Sequence, residues 1–421
     1  MRKMRDSGIE WIGAIPQDWK TDRLQWHLKE INVSNNPIQT KNILSLTIEA
    51  GVIPYAEKGN QGNKAKEDYS QYKIAFPDTL VINSMNVIIG AVGISQYFGC
   101  VSPVYYVFGS IEGTDLRYIY YLFTNTGFQK EMRKYAKGIL EIRLRISSND
   151  MLKRIVPSPP FKEQQRIADY LNKMCAEIDT VLEKTRASIE EYKKLKQAVI
   201  TQAVTKGIRG DRPMKDSGSV WFEEIPCNWV MKRIKYLFHI KKDIAGKEGY
   251  TVLSITQRGI QPKDLSKNEG QIAANYSQYQ LLAPGDFAMN HMDLLTGWVD
   301  ISKYSGVTSP DYRVFVLDDT EKNDSSYYLY LMQMCYFNRI FYGLGQGVSG
   351  MGRWRLQADK FMNFPVVVPP VDEQKEIVSY LNEKCKQLDT LIRNKQQYLT
   401  AIENYKKSLI YEYVTGKKEV V

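Results

Sequence analysis

The chain of 421 residues is too long for one ordinary hydrophobic core, so two or more domains of ~100–200 residues each are expected. Hydrophobic residues at 43% and charged residues at 25% are values of a folded globular protein and exclude a collagenous, fibrous or disordered chain. The balance of 57 basic against 47 acidic residues gives a net charge of +10, which favours a polyanionic partner such as nucleic acid without requiring one.

In chain order, Met1 to Asp6 is charged and leads into Gly8, Glu10 and Pro16 instead of an apolar stretch, so no signal peptide is expected and the chain is expected in the cytoplasm. Short β-rich runs such as Thr79 to Ile82 and Val104 to Phe108 then alternate with Gly, Asn and Pro, and Asp115 to Tyr135 reads as helical. The mixture predicts a compact α+β globule. From Phe161 to about Lys206 there is no Pro or Gly. Pro159 and Pro160 stand at the start, Glu163 suits the positive end of a helix, and Gly207 stands where glycine ends one. One helix of roughly 65–70 Å is predicted, far longer than the average of ~11–12 residues.

The same series then returns. Met4-Arg-Asp-Ser-Gly-Ile-Glu-Trp11 reappears as Met214-Lys-Asp-Ser-Gly-Ser-Val-Trp221, an offset of 214 − 4 = 210. Ile43 to Thr47 matches Val252 to Thr256, Tyr69-Ser-Gln-Tyr72 matches Tyr276-Ser-Gln-Tyr279, and Ser102-Pro103 with Tyr105, Val107 and Phe108 matches Ser309-Pro310 with Tyr312, Val314 and Phe315. Pro159-Pro160 with Glu163-Gln164 matches Pro369-Pro370 with Glu373-Gln374, opening a second long helix from Val371 to about Thr415. Such a period is too long for a solenoid, so each unit is a domain.

Apolar residues in the long helices recur by three and four: Ile167, Leu171, Met174, Ile178, Val181, Tyr192, Leu195 and Val199 in the first, and Ile377, Leu381, Leu388, Leu391, Tyr398, Ile402, Tyr405 and Leu409 in the second. This is the spacing of a coiled-coil seam, and an antiparallel pairing fits the repeat best. The expected fold class is α+β, with two tandem mixed domains separated by two long helices in pseudo-twofold symmetry. The expected boundaries are 1–157 for the first domain, 158–208 for its helix, 209–367 for the second domain and 368–421 for its helix.

Catalytic signatures are missing. There is no P-loop, since Thr415-Gly-Lys-Lys418 is only a charged tail, and the glycine-rich Gly343 to Gly350 follows no clear strand and reads as a flexible binding loop. Ser158-Pro-Pro160 and Val368-Pro-Pro370 lack the flanking residues of an adenine methyltransferase motif. His27, His239 and His291 are isolated, and Cys100, Cys175, Cys227, Cys335 and Cys385 have no CxxC spacing, so neither a triad, a zinc site nor a disulfide scaffold is expected. No enzyme activity, metal or bound cofactor is expected of this chain.

Asp6-Ser-Gly-Ile-Glu-Trp-Ile-Gly13 with Ile15-Pro16 and Trp19, Pro-Pro-x-x-Glu-Gln at the start of each long helix, and Val414-Thr-Gly-Lys417 at the end of the second resemble the specificity subunit of type I restriction-modification enzymes. The likeness covers the entire chain. It implies two target recognition domains that each read one half of a bipartite double-stranded DNA site, with the helices as a ruler between them. It also implies two methylation subunits, which hold S-adenosylmethionine, and restriction subunits with motor and nuclease activity. Glu163, Gln164, Glu373 and Gln374 are then expected to contact these partners. The runner-up reading is a coiled-coil scaffold with incidental basic charge.

If two copies of one domain read different half-sites, base-reading positions should lie where the repeats diverge. Lys58, Asn60, Lys64 and Lys66 stand in a segment that differs from the one holding Arg258, Lys263 and Lys267. Asn83-Ser-Met-Asn86 answers to Asn290-His291-Met-Asp293, sharing Asn and Met. Arg143 and Arg145 precede the first helix as Arg353 and Arg355 precede the second. Asn83, Asn86, Asn290, His291 and these arginines complete the expected DNA contacts, where Lys and Arg on phosphate supply affinity and base edges supply sequence.

Overall fold

The computed structural model describes residues 2–59, 68–85, 91–138, 144–267, 275–347 and 354–420. No helix among them is long and apolar enough to cross a membrane. The chain divides into two units, Met1–Arg186 with Gln397–Val421, and Ala187–Gln396. The first unit is made of two segments and the second of one, and their limits fall within the long helices.

In the first unit a four-stranded antiparallel sheet runs in the order Leu28–Glu30, Tyr105–Ser110, Thr79–Asn83, Val92–Ser95. All five residues of Thr79–Asn83 are buried, as a central strand covered on both faces requires. Three short helices follow: α1 (Leu116–Thr124), α2 (Thr126–Arg133) and α3 (Ser148–Leu152). Strand Ile155–Ser158 then pairs with Lys20–Arg23 and leads through Pro159 and Pro160 into α4 (Phe161–Lys206), a 46-residue helix with the bounds its Pro and Gly punctuation predicts. Its core joins Ile15, Trp19, Tyr118 and Leu122 of the globule to Ile167, Leu171 and Ile178 of α4 and to Leu409, Tyr413 and Val414.

The second unit repeats this plan. Its sheet runs Phe238–Lys241, Arg313–Leu317, Phe287–Met289, Val299–Ile301. Helices α5 (Ser325–Phe337), α6 (Ile340–Gly343) and α7 (Ala358–Asn363) precede strand Pro365–Val368 and α8 (Val371–Val414). Trp229, Ile234, Tyr327 and Leu331 pack with Ile377, Leu381 and Cys385 of α8 and with Ile200, Ala203 and Val204 of α4. Each unit therefore takes the start of its own long helix and the end of the other.

The structure departs from the sequence pattern in three respects. Asp115 to Tyr135 is two helices, because Asn125 is extended (φ −72°, ψ 127°) and its side chain caps the helix that follows. Ser325 to Tyr342 likewise breaks where Arg339 adopts a left-handed conformation (φ 59°). In the long helices, Val181, Leu195, Leu391, Tyr398 and Tyr405 are exposed, whereas Cys175, Leu182 and Ile189 are buried. A single heptad phase fails because the helix ends bury a face against the globule, as well as against a helix. The Tyr170 and Tyr413 rings meet at 4.5 Å, tilted by 40°, and Lys406 pairs with Asp179 at 2.6 Å in the first unit. Lys196 pairs with Asp389 at 2.7 Å in the second.

Candidate nucleic-acid interface

The paired motifs at the helix starts form a clasp, repeated in both units. Trp19 Nε1 donates to Glu163 Oε2 at 3.0 Å, and Trp229 Nε1 donates to Glu373 Oε2 at 2.9 Å. Arg2 and Arg212 form ion pairs with the same two carboxylates. Gln164 Oε1 accepts the N–H of Asp115 at 2.9 Å while its Nε2 donates to Pro159 O at 2.9 Å; Gln374 does the same with Asp324 and Pro369, both at 2.8 Å. Burial pushes the Glu373 carboxyl up, but Arg212, Trp229 and Asn228 outweigh it and hold the group below its ordinary range.

These bonds tie the Glu-Gln pairs, expected to contact partner subunits, to their own units. Gln164, Glu373 and Gln374 are buried at 2%, 3% and 0% exposure and are committed to their own unit, and Glu163 is tied to Arg2 and Trp19. The helix ends complete the clasp. Tyr118 Oη donates to Val414 O at 2.9 Å and Tyr327 Oη to Val204 O at 3.0 Å. Gly207 (φ +82°) and Gly416 (φ +69°) turn the chain out of each helix against Trp229 and Trp19, where a Cβ would lie 3.3 and 3.0 Å from the indoles.

Away from the clasp stand the divergent residues. In the second unit the hairpin Leu253–Thr256 with Gly259–Pro262 carries exposed Arg258 at its tip, and Gln257 Nε2 donates across to Thr296 O at 3.4 Å. That places Arg258 beside the 290–297 loop. Asn290 Oδ1 closes this loop by accepting from Met292 and Asp293, both at 3.2 Å. Asn83 Oδ1 accepts from Met85 at 3.0 Å in the first unit. The shared asparagines thus shape turns with the carbonyl ends of their amides, which accounts for their presence in both repeats.

His291 lies in the same loop and is buried, and its carbonyl receives the N–H of Leu356 at 2.9 Å. Burial first, then Arg313 and Arg355, push its imidazole down to about 3. Arg355 is exposed and its backbone bridges Gln346; Arg145 is exposed and bridges Lys137 in the equivalent place. Arg258, His291 and Arg355 are therefore brought to one end of the second unit. Lys58 lies over the Tyr55 ring at 5.1 Å, and Lys263 is half-buried where the hairpin ends. Asn60, Lys64, Lys66, Asn86, Arg143, Arg353 and the side chain of Lys267 lie outside the described residues.

Sequence reasoning passed over Arg313. It is buried on the central strand, donates from Nη2 to Leu356 O at 2.9 Å, and is pushed down to about 10 by burial. The signal was present: within the matched runs Tyr105 to Phe108 and Tyr312 to Phe315, Tyr106 against Arg313 is the position that differs. Among the described residues no group of three His, Cys, Asp or Glu side chains could hold a metal ion.

The model of the type I restriction modification DNA specificity domain matches residues 16–191 and again residues 226–404. The chain belongs to this family: it is a DNA-binding specificity subunit of the type I restriction-modification class. Among curated relatives, the type I restriction enzyme MjaVIII specificity subunit of Methanocaldococcus jannaschii is 23% identical over 73% of this chain and 71% of its own. The putative type I restriction enzyme MjaX specificity subunit of the same organism is 24% identical over 97% and 96%. Two solved structures share the fold at 13% identity. One, described as the structural basis of complex assembly and conformational transition of the type I R-M system, gives a TM-score of 0.69 over 96% of this chain and 99% of that one. The other, the HsdS subunit from Thermoanaerobacter tengcongensis, gives 0.51 over 96% and 98%.

Proposed function

We propose that this chain is the non-catalytic reader of a type I restriction-modification complex, each unit recognising one half of a bipartite DNA site. The observation that carries the reading is the distribution of likeness between the repeats. Bonds that tie globule to helix recur residue for residue, whereas the loop ends that carry Arg145, Arg258 and Arg355 differ in their neighbours. Two different half-sites read from one frame would leave this pattern. A scaffold whose function was helix pairing alone would have no reason to vary there.

In this reading α4 and α8 pair as an antiparallel coiled coil that sets the unread spacer, and methylation subunits carrying S-adenosylmethionine dock on the chain, with restriction subunits joining them. The chain itself binds no cofactor and works in the cytoplasm. DNA binding by the full chain with its methylation subunits, measured over a salt series and a panel of sequences, tests the function. A steep salt slope with a sequence-dependent term is expected; binding that is neither salt-dependent nor sequence-dependent refutes it. The ruler has its own test. Seven residues inserted near Glu183 and seven near Arg393 lengthen the helices by about 10 Å, so the preferred spacer grows by about three base pairs. Because ~10–10.5 base pairs make a turn, the far half-site also rotates by roughly 100°, and affinity falls even at the best spacing.

A further inference from the structure

Ser84 and His291 occupy equivalent positions, 291 − 84 = 207, each following the asparagine that closes a turn. Their carbonyls receive the N–H of Ile146 at 3.2 Å and of Leu356 at 2.9 Å. The carbonyls of Ile146 and Leu356 are held from the neighbouring strand, by Tyr106 Oη at 3.1 Å in the first unit and by Arg313 Nη2 at 2.9 Å in the second. Each residue clamped in this way directly follows an exposed arginine, Arg145 or Arg355. The backbone frame is common, and the side chains that fill it are not.

Each clamp also contains an unmatched buried atom. Ser84 Oγ and His291 Nδ1 have no hydrogen-bond partner among the described residues, although the two residues are 0% and 5% exposed. Buried polar atoms of this kind are uncommon in folded proteins, and here they fall at the same place in both units. In the second unit the Arg313 guanidinium, on a residue 6% exposed, has no carboxylate at ion-pair distance among the described residues; besides Leu356 it has Met289 Sδ at 3.8 Å and the Phe361 ring at 5.0 Å. The nearby Asp293 spends its carboxylate on the N–H groups of Leu295 and Thr296 at 3.0 and 2.9 Å. Asp359 acts on this guanidinium only at longer range, so among the described residues the buried charge has no direct ion-pair partner, and such a charge is expensive to retain.

We propose that His291 and Arg313 are specificity-determining residues of the second unit, fixing which base edge Arg355 reads, and that Ser84 and Tyr106 do the same for Arg145 in the first. They are positioning residues: they act through the backbone of Leu356 or Ile146 and through the charge beside the exposed arginine. The second unit sets the exposed Arg355 guanidinium beside the buried charge of Arg313 and an uncharged imidazole, a positive surrounding that suits an acceptor-rich base edge, the N7 and O6 of guanine. The first unit, with hydroxyls at both positions, lacks that second cation. The inference rests on the reading of the units as DNA readers.

The test is a base-substitution panel over both half-sites, using the full chain with its methylation subunits. The double variant His291→Ser with Arg313→Tyr places in the second unit the pair that the first unit already accommodates. It should change the preferred base at one or two pairs of one half-site by about 10–100-fold and leave the other half-site unchanged. Arg313→Lys, which keeps the charge, should retain the preferred base. Uniform weakening over all sequences, or an unchanged preference, overturns the proposal. If the double variant loses both half-sites through misfolding, Tyr106→Phe, which removes only a hydroxyl, decides by the same criterion in the first unit. A native chain without sequence preference would instead refute the DNA-reading function itself.

Discussion

The two units bind their helices by the same atoms and meet their surroundings at the loop ends by different ones. Glu163 and Glu373 each receive a tryptophan N–H and an arginine, and Gln164 and Gln374 each span a helix start and a backbone N–H. At the far end of the sheet the frame carries Ser84 and Tyr106 in one unit and His291 and Arg313 in the other. The difference teaches where each kind of constraint acts. The clasp that holds a helix keeps its buried charged members in both units, whereas the side chains that orient the exposed arginines differ on the same sheet frame.

The comparison can be broken first at the clasp. Glu373→Ala leaves the Arg212 guanidinium and the Trp229 N–H without their acceptor, and the carboxylate side chain is 4% exposed. A loss of about 3–5 kcal/mol, read from the unfolding midpoint of the second unit in urea, is expected. Glu163→Ala should cost the first unit less, because that side chain is 17% exposed. Next, Tyr118→Phe and Tyr327→Phe each delete a hydroxyl bonded to a long-helix carbonyl and should cost about 1 kcal/mol apiece. Unequal losses from these two tyrosines would show that the helix-end bonds of the two clasps are not equivalent.

A pH titration of stability sharpens the contrast. His291 is held near 3 in the folded unit against about 6.5 when unfolded, so its contribution is complete above pH ~6.5 and is lost as pH falls toward 3. His291→Ser should flatten that limb of the stability curve. Glu373, held low by Arg212 and Trp229, contributes above the unfolded carboxyl range and loses its contribution on further acidification. Smallest of all, Lys196→Ala and Lys406→Ala remove largely exposed ion pairs of the helices with Asp389 and Asp179, and each should change stability by less than about 1 kcal/mol.

Much of this was legible in the sequence, for identifiable reasons. The duplication and the bounds of α4 follow from motifs and from Pro and Gly punctuation, which act locally. The seam through Val181, Leu195 and Tyr398 was not legible, because periodicity does not say which surface a helix face meets, and the helix ends meet a globule. Glu163 and Glu373 read in the sequence as charges suited to a helix start, and that they accept from Trp19 and Trp229, more than 140 residues away, was not legible there. Arg313 was hidden because a charged residue within a strand run reads as solvent-facing, whereas here it spans from the central strand to Leu356 O.

The most direct measurement is the full spectrum of DNA sites modified by the native chain assembled with its methylation subunits, compared with that of the His291→Ser, Arg313→Tyr variant. Two short base-specific blocks at a fixed unread spacing, with the variant altering one block alone, are the predicted result. A single contiguous recognition sequence, or a variant that alters both blocks together, would contradict the account of two independent readers on a duplicated frame.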